Sequence, residues 1–387
     1  MKRFALFLIA LAALAASPAA AGSGMDCPLA RQPYSSRTLL TDLLLNPATK
    51  AILDREVPDL VSGLSRGHGG GPLPPGFTTI ISPELLLGMR PGGQALVARL
   101  DASLAKVPLT KAAIRARCAR YDRTPPKLPG RIGRPAILVF EKITGFRDGP
   151  SVEAAQVALK AMAARRGWTL IFSENGAVFN ARDLARFDAV VWNNVSGDAL
   201  TVPQQNAFKA WLAKGGGYAG FHGSAGDPVQ VWDWYVDTLV GARFIGHSMD
   251  PQYQTGRVVV EDRDHPITRG LPAEWTMSEE WYSFAKSPRT DGTRILATLD
   301  ERSYSPVGFG GRDIRMGDHP IAWIRCIGSA RSFYTAIGHR PESYTEPNSA
   351  RLLEQGIAWA AGLGETRCRK GKETRASSTP ARKQGSR

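Results

Sequence analysis

Short apolar runs alternate with amphipathic stretches from residue 136 onward, and this alternation restricts the fold more than any other feature of the chain. The runs are almost continuously apolar, which is typical of parallel strands that helices cover on both faces. In the stretches between them, apolar residues recur with the spacing of a helix. The pattern predicts an α/β fold with a doubly wound, mostly parallel sheet. The predicted strands are Ala136–Phe140, Trp168–Phe172, Asp188–Trp192 and Tyr218–His222, and helices are predicted from Ser151, from Thr201 and over Val229–Leu239.

The segments that follow come as strand-rich pairs before a closing helix, Ser349–Ala361. We expect these pairs to extend the same sheet, partly in antiparallel orientation. They are Arg257–Val260, Arg294–Thr298, Ile321–Ile327 and Arg331–Ile337.

The chain before residue 136 has a different character. Helical spacing of leucines over Thr38–Val57 and Pro83–Val107 predicts a small all-helical domain at residues 22–121. Residues 122–135 are rich in proline and glycine, which sustain neither a helix nor a strand ladder, so they are predicted to form a stiff linker. The α/β domain then spans residues 136–364.

Both ends of the chain differ from its body. Lys2 and Arg3, an apolar run and an Ala-x-Ala site predict a signal peptide over residues 1–21, hence a periplasmic or extracellular protein without a transmembrane segment. A signal anchor is the alternative. Residues 365–387 hold eight basic and two acidic residues, and we expect a disordered basic tail able to contact anionic surfaces. No specific nucleic-acid partner is expected, because this tail has no aromatic residue for base stacking.

The four cysteines allow three pairings. If a disulfide forms, we favour Cys27 with Cys118, because both lie in the N-terminal region. Cys326 falls in a strand-like apolar run and is equally well explained as a buried free thiol. The sequence has no CxxC pair, so a structural zinc knuckle has no support.

His222 is the sharpest functional signal. It ends a predicted parallel strand, small residues flank it, and a helix is predicted after it. This is the geometry of a nucleophile elbow, whose side chain faces the ligand crevice at the carboxyl end of the sheet. Ser224 is not expected to be a nucleophile, because the pattern is not G-x-S-x-G. The alternative is a histidine that merely ends a strand.

Short motifs occur in a fixed order over residues 137–363. They are Gly145-Phe146-Arg147, the run Gly215 to Gly223, Trp232-Asp233-Trp234-Tyr235, His247, His265-Pro266-Ile267, Glu280-Trp281-Tyr282, Asp318-His319-Pro320, Tyr334 to His339, and Gly356 to Gly362. In these motifs the chain resembles the ThuA-like (trehalose-utilisation) family of the class I glutamine amidotransferase-like superfamily. The resemblance implies a flavodoxin-like sheet and a link to carbohydrate metabolism, with oxidised (keto) sugars among the candidate substrates.

The chain departs from these relatives at two positions. Asp148 stands where family members usually have a histidine after the Gly-Phe-Arg segment, so the role of that histidine is in doubt or passes to a carboxylate. True amidotransferases have a cysteine at the elbow position that His222 occupies here. Without a thiol, glutamine cannot be hydrolysed through a thioester, so amidotransferase activity is excluded.

Two chemistries suit the predicted crevice. A divalent metal ion, held by His222, His247 and His339 with Asp227 and Glu280 as carboxylate partners, would serve hydrolysis or a lyase reaction on a sugar. The alternative is metal-free catalysis with His222 as general base and Glu280 as general acid.

Aromatic side chains supply candidate carbohydrate contacts, because flat π surfaces suit the apolar faces of sugar rings. At this spacing such residues are equally well explained as core. We expect an exported enzyme acting on a carbohydrate or glycoside, and the alternative is a non-catalytic carbohydrate-binding module. His265 and His319 each precede proline in an Asp-His-Pro turn and are predicted to be structural. The candidate substrate-binding residues are Trp232, Trp281, Tyr282, Phe146 and Arg147.

Overall fold

The structure, a computed structural model, describes residues 24–60, 75–290, 292–369 and 371–375. The predicted signal peptide and the last twelve residues of the predicted tail lie outside this range. The strands are β1 (Ala136–Phe140), β2 (Thr169–Ser173), β3 (Ala189–Trp192), β4 (Gly217–Phe221), β5 (Phe244–His247), β6 (Gln254–Val260), β7 (Glu274–Glu279), β8 (Tyr282–Phe284), β9 (Thr293–Asp300), β10 (Pro320–Ile327), β11 (Ala330–Thr335), β12 (Thr366–Arg369) and β13 (Lys372–Arg375). The helices are α1 (Leu40–Leu44), α2 (Pro47–Glu56), α3 (Pro83–Gly88), α4 (Gly93–Leu104), α5 (Lys111–Cys118), α6 (Gly149–Arg166), α7 (Ala181–Leu184), α8 (Val202–Ala213) and α9 (Pro347–Ala360).

Within the described residues, one nine-stranded sheet runs in the order β2-β1-β3-β4-β11-β10-β9-β6-β7. The first five strands of this order are parallel, and the last four pair in antiparallel orientation. Every residue of β1, β3 and β4 is buried, so other elements cover both faces of the parallel half. The predicted α/β fold and its partly antiparallel extension are confirmed.

The helices of the α/β part begin where local chemistry favours them. α6 starts two residues before the expected Ser151, with Pro150 in its first turn, and its apolar face is buried as predicted. A capping box of Thr201 and Gln204 begins α8. The α-helix expected over Val229–Leu239 is instead a π-helix, Trp234–Val240, which ends at Gly241 with a φ of 89°. The backbone N–H of Gly241 bonds five residues back, to the carbonyl oxygen of Val236.

The strands β5, β7 and β8 were not expected, because they are only 4, 6 and 3 residues long, too short for a clear strand pattern. β7 ends at Glu279, directly before Glu280, and β8 begins at Tyr282. β5 pairs with β8 in antiparallel orientation and places His247 opposite Tyr282. This irregular part of the chain therefore carries several of the candidate site residues.

Helices α1 to α5 precede the sheet, and α1 to α4 share an apolar cluster of their own, built on residues such as Leu43, Leu53 and Leu100. α5 packs in a smaller cluster with Cys27 and Tyr121. Residues 122–135 follow without helix or strand, as the proline content predicts. They do not separate the two parts of the chain. The hydroxyl group of Tyr121 contacts the Asp198 carboxylate over 2.5 Å, and Arg123 bonds to Asp26.

Disulfides join Cys27 to Cys118 and Cys326 to Cys368. The first is the pairing that the sequence favoured, and of the two explanations left open for Cys326 the buried free thiol is wrong. The second disulfide ties the end of β10 to a hairpin of β12 and β13. Disorder is therefore the wrong expectation for residues 366–369 and 371–375, because a covalent bond and paired strands supply the order that their composition lacks. No helix within the described ranges has both the length and the apolar character needed to cross a membrane.

Candidate active site

His222 lies at the carboxyl end of β4, where the chain turns sharply into a short 3₁₀ turn. Its φ of +31° lies in a region that L-residues seldom adopt. The next residue, Gly223, donates its N–H to the Asn194 side chain, which follows the neighbouring strand β3 and has a positive φ itself. The sharp turn predicted from the small residues around His222 is present, and it places the imidazole at the carboxyl ends of the central strands, beside Ala336.

Three donor atoms converge at this point. His222 Nε2 lies 3.1 Å from Glu280 Oε2 and 3.1 Å from His339 Nδ1, and His339 Nδ1 lies 3.3 Å from the same carboxylate oxygen. All three side chains are buried. We call these three residues the His-Glu-His triangle. They come from β4, from the β7–β8 connection and from the segment after β11, so only the fold brings them together.

The tautomer of His222 follows from its other nitrogen. Nδ1 lies 2.7 Å from the carbonyl oxygen of Ala336, which can only accept, so Nδ1 carries a proton. In the neutral imidazole, Nε2 then has a free lone pair that faces the triangle. This arrangement, with one histidine nitrogen bonded to a backbone carbonyl and the other presented to the site, is typical of metal-binding histidines.

Charge interactions keep Glu280 ionised. Burial alone raises the pKa of Glu280, but the neighbouring imidazoles of His222, His339 and His247 outweigh it and hold the pKa well below its usual value. Burial lowers the pKa of His339, yet the nearby Glu280 carboxylate raises it above the usual value overall. Asp148, at 3.7 Å from His339 Nε2, acts in the same direction.

The second oxygen of Glu280 has its own partners. His247 Nδ1 lies 3.4 Å from Glu280 Oε1, and the Gln252 side chain donates to the same oxygen. The Nδ1 of His247 also contacts the Ser248 carbonyl oxygen over 2.9 Å. His247 therefore lies on the outer side of Glu280, and the donor set that the structure assembles contains Glu280 in place of the His247 expected from the sequence.

Glu279 is a site residue that sequence reasoning missed. Its carboxylate accepts from the backbone N–H groups of Glu280, Gly338 and Arg340 and from the Ser343 hydroxyl group. It therefore fixes the segment on which His339 lies. The available sequence signal was the pair of adjacent acids, Glu279 and Glu280, directly before Trp281 and Tyr282. The sequence does not show that Glu279 bonds to the loop that carries His339.

Asp227 lies outside the His-Glu-His triangle in its contacts. It accepts from the Ser196 hydroxyl group at 2.6 Å and from the Gly197 N–H at 2.7 Å, and burial raises its pKa to about 6. Ser196 in turn accepts from the N–H of Phe146. The Phe146 ring stacks on the imidazole of His339, with 6.2 Å between centroids and 10° between planes. Asp227 thus orients the loop that carries Phe146.

The aromatic candidates have different environments. Trp281 is fully buried and donates to the Gln254 carbonyl oxygen, so its predicted contact with a sugar is wrong. Trp232 packs on Tyr235 at 5.7 Å in an aromatic cluster. Tyr282 lies at the site, with its ring centroid 3.8 Å from that of His222, but it is buried.

Arg147 is exposed and lies 3.4 Å from Glu174, so its guanidinium is not part of the triangle. The sequence also missed Tyr253, which is 42% exposed and whose ring lies 5.5 Å from that of His339. His265 and His319 are buried and bond to Glu373 and Glu301, in agreement with a structural role.

The triangle fits a divalent metal ion. Tetrahedral zinc with nitrogen and oxygen ligands at about 2.0–2.2 Å separates its donor atoms by about 3.3–3.6 Å. The three distances between donor atoms observed here, 3.1, 3.1 and 3.3 Å, are equal to or slightly shorter than this range, so the three atoms can bind one ion together. Two histidines and one carboxylate with open positions form a known set for zinc and for non-haem iron. Among the described residues, His222, Glu280 and His339 bring one possible metal-ligand atom each to within 4.8 Å of one another.

Comparison with known proteins gives a consistent picture. A family model described as ThuA, trehalose utilisation, matches residues 136–360. A ThuA-like protein from Bacteroides uniformis is 24% identical with a TM-score of 0.50, over 61% of this chain and 94% of its own, and so shares the fold. A ThuA-like protein from Parabacteroides merdae is 21% identical with a TM-score of 0.42, over 58% and 89%. No protein of curated function matches.

Proposed function

Because this chain belongs to the ThuA family, described by the words trehalose utilisation, we propose that it is an enzyme acting on a carbohydrate or glycoside at the His-Glu-His triangle. One observation supports this most strongly. Two histidine nitrogens and a carboxylate oxygen converge within 3.3 Å of one another, and the Ala336 carbonyl oxygen fixes the tautomer of His222. Burying a carboxylate beside two imidazoles costs free energy, and clusters of this kind occur preferentially at functional sites.

In this proposal His222, Glu280 and His339 hold a divalent metal ion. Such an ion, when bound, polarises a substrate oxygen and makes water a stronger nucleophile or base. Glu280 presents one oxygen to the triangle, while Gln252 and His247 hold the other in place. Asp148 faces the Nε2 of His339 and favours a proton on that nitrogen, which leaves Nδ1 free as a donor atom.

His247 is suited to proton transfer. Its side chain is 28% exposed, whereas the three residues of the triangle are almost completely enclosed. Since Nδ1 donates to the Ser248 carbonyl oxygen, the neutral imidazole keeps a lone pair on Nε2. An imidazole of this kind beside the triangle can take a proton from the substrate and pass it to solvent.

The metal-free alternative with Glu280 as general acid has less support. A general acid must hold a proton at the working pH. The neighbouring imidazoles keep the pKa of Glu280 well below its usual value despite burial, which favours the ionised carboxylate over a protonated acid.

We propose Tyr253 as the residue that stacks on the sugar. It is exposed, it lies beside His339, and the guanidinium of Arg340 lies 5.5 Å from its ring centroid. A flat aromatic face with a charged neighbour suits a ring that carries both C–H and hydroxyl groups. Oxidised (keto) sugars are included among the candidate substrates because their carbonyl oxygen suits polarisation by a metal ion.

Export to the periplasm or the cell exterior is also part of the proposal. The two disulfides support it, because disulfides persist mainly in oxidising compartments. Contact of the last basic residues with anionic surfaces stays a prediction from composition.

Turnover of glycosides tests the proposed function. Wild-type protein loaded with zinc, manganese or nickel is incubated with plain and keto-sugar glycosides, and the released sugar is measured. Turnover that Glu280→Gln abolishes while the variant stays folded supports an enzyme. Saccharide binding without turnover under every metal would favour the non-catalytic carbohydrate-binding module instead.

A further inference from the structure

The N-terminal helical part reaches the active site, although the family match begins only at residue 136. Phe77 lies in the 3₁₀ turn Pro75–Thr79, and its ring centroid lies 5.1 Å from that of Phe146. Phe146 stacks in turn on His339. Three rings therefore form a continuous path from the N-terminal part to a residue of the His-Glu-His triangle.

Phe146 belongs by its contacts to both parts of the chain. It follows β1 in sequence, yet it packs against the apolar cluster that helices α1 to α4 share. Its ring is also nearly parallel to the imidazole of His339. The position of this ring beside the site is thus determined in part by residues outside the α/β part.

The backbones of the two parts also meet at this place. A Cβ added to Gly76 would lie 2.0 Å from the Gly145 carbonyl oxygen, so no side chain can separate them. The hydroxyl group of Thr79 donates to the Thr144 carbonyl oxygen over 2.9 Å. The Ile80 carbonyl oxygen accepts from the N–H of Val229, which lies beyond the elbow of His222.

The loop of residues 144–148 is held from the opposite side as well. The N–H groups of Thr144 and Gly145 bond to the Ser196 carbonyl oxygen at 3.0 and 2.9 Å. At its end, Asp148 faces His339 Nε2 and contacts Ser151, whose hydroxyl group also contacts the His339 carbonyl oxygen. A shift of this loop would therefore move two groups that contact His339.

We propose that the segment of residues 76–80 is a positioning element of the active site, in which Phe77 and Thr79 press the loop of residues 144–148 onto His339. Phe77 contacts Phe146 and acts on His339 through that ring. The inference rests on the proposed function only in taking His339 as a site residue. This role would connect the N-terminal helical part to the active site, which packing of its apolar cluster alone would not do.

Nuclear magnetic resonance of histidine side chains tests this in the full chain, freed of metal with a chelator and kept at one pH. The imidazole signals of His339 are assigned with a His339→Gln variant. Because Phe146 stacks on this ring, its ring current shifts these signals. Phe77→Ala and the nearly isosteric Thr79→Val are compared with Leu100→Ala, which truncates a buried leucine in the same apolar cluster.

We expect Phe77→Ala to move the His339 signals by more than their linewidth, and Thr79→Val to move them less but in the same direction. Leu100→Ala should leave them at the wild-type position even where it lowers thermal stability as much. The zinc affinity of Phe77→Ala should fall about tenfold, as for other residues that support a metal ligand. Unchanged His339 signals in both variants, or equal changes in Leu100→Ala, would overturn the proposal.

The two hypotheses can fail separately. If the wild type binds no zinc, the proposed metal chemistry fails, but the His339 signals of the metal-free variants still test the positioning role. If zinc binds and the signals do not respond to Phe77 or Thr79, only the positioning role is lost.

Discussion

The Nδ1 of His222 lies 2.7 Å from the Ala336 carbonyl oxygen, and this contact decides which imidazole nitrogen faces the site. The carbonyl oxygen cannot donate, so Nδ1 holds a proton, and Nε2 is the nitrogen that faces Glu280 and His339. Ala336 follows β11, the strand paired in parallel with β4. The register of these two central strands therefore sets the tautomer of the elbow histidine.

Two neighbouring glutamates should respond in opposite ways to the same substitution. Glu280→Gln should weaken divalent metal binding by more than the about 10- to 100-fold that substitutions of supporting residues cost, because a charged donor is lost. The free energy of unfolding of the metal-free protein should change little. Metal titration by calorimetry and unfolding in urea check the two results.

Glu279→Gln is the matched control. Both oxygens of Glu279 accept from two donors, and an amide would turn its NH₂ group toward two of them. We expect this variant to lose about 1–3 kcal/mol of stability, as for an unsatisfied buried group. Equal metal loss in both variants with no difference in stability would contradict these roles.

Tyr253→Ala should weaken saccharide binding while leaving metal binding intact. The exposed ring lies 5.5 Å from that of His339, and Tyr253 is not one of the three residues of the triangle. Loss of one aromatic contact corresponds to about 1 kcal/mol, or about fivefold in Kd. Calorimetric titration with a saccharide measures this change in Kd. Tyr253→Phe keeps the ring and should bind like the wild type. An unchanged Kd in Tyr253→Ala would refute stacking of the sugar on Tyr253.

The C-terminal hairpin should add a pH-dependent contribution to stability through Glu373. Burial raises the pKa of Glu373, but bonds from His265, Thr366 and Arg294 outweigh it and lower the pKa to about 2. Between the ordinary value of 4.5 and about 2, the unfolded chain binds more protons than the folded one. The contribution is therefore complete above pH 4.5 and is lost as the pH falls toward 2.

Glu373→Gln measures this contribution. At neutral pH the variant should be less stable than the wild type by about 1.5–3 kcal/mol, the range for hydrogen bonds to charged groups. In urea unfolding at successive pH values, the difference should shrink below pH 4.5. A difference that stays constant down to the acid limit of folding would contradict the role of the ionised carboxylate.

The disulfide between Cys326 and Cys368 should stabilise the fold by closing a loop of 42 residues. In the chain-entropy account, a loop of this length contributes about 3–4 kcal/mol. Chemical unfolding of Cys368→Ser, compared with Cys326→Ser and with the double variant, measures the loss. The three variants should be equally destabilised, and a double variant as stable as the wild type would show that the hairpin does not need the bond.

The sequence predicts the parallel half of the sheet well, because buried parallel strands leave continuous apolar runs such as Ala136–Phe140. It also predicts the sharp turn at His222, because the small residues that such a turn requires can be recognised in the sequence. It does not predict β5, β7 and β8, which are only 4, 6 and 3 residues long and pair with strands distant in the sequence or lie at the edge of the sheet.

The candidate site shows the same division. His222, Glu280 and His339 could be named from the sequence, but which of them meet depends on pairings between segments more than fifty residues apart. The sequence could not separate exposed from buried aromatic residues, so it selected the buried Trp281 and passed over Tyr253. It also gave no sign that Phe77 lies beside Phe146, the ring that stacks on His339.

The most direct test of the account is the metal content of the purified protein, measured by mass spectrometry after exposure to zinc, manganese and nickel. We predict a stoichiometric divalent ion in the wild type and in His247→Ala, whose side chain lies outside the triangle, and its loss in His222→Ala with the fold intact by circular dichroism. No bound metal in the wild type, or full retention in His222→Ala, would contradict the assignment of the His-Glu-His triangle as a metal site.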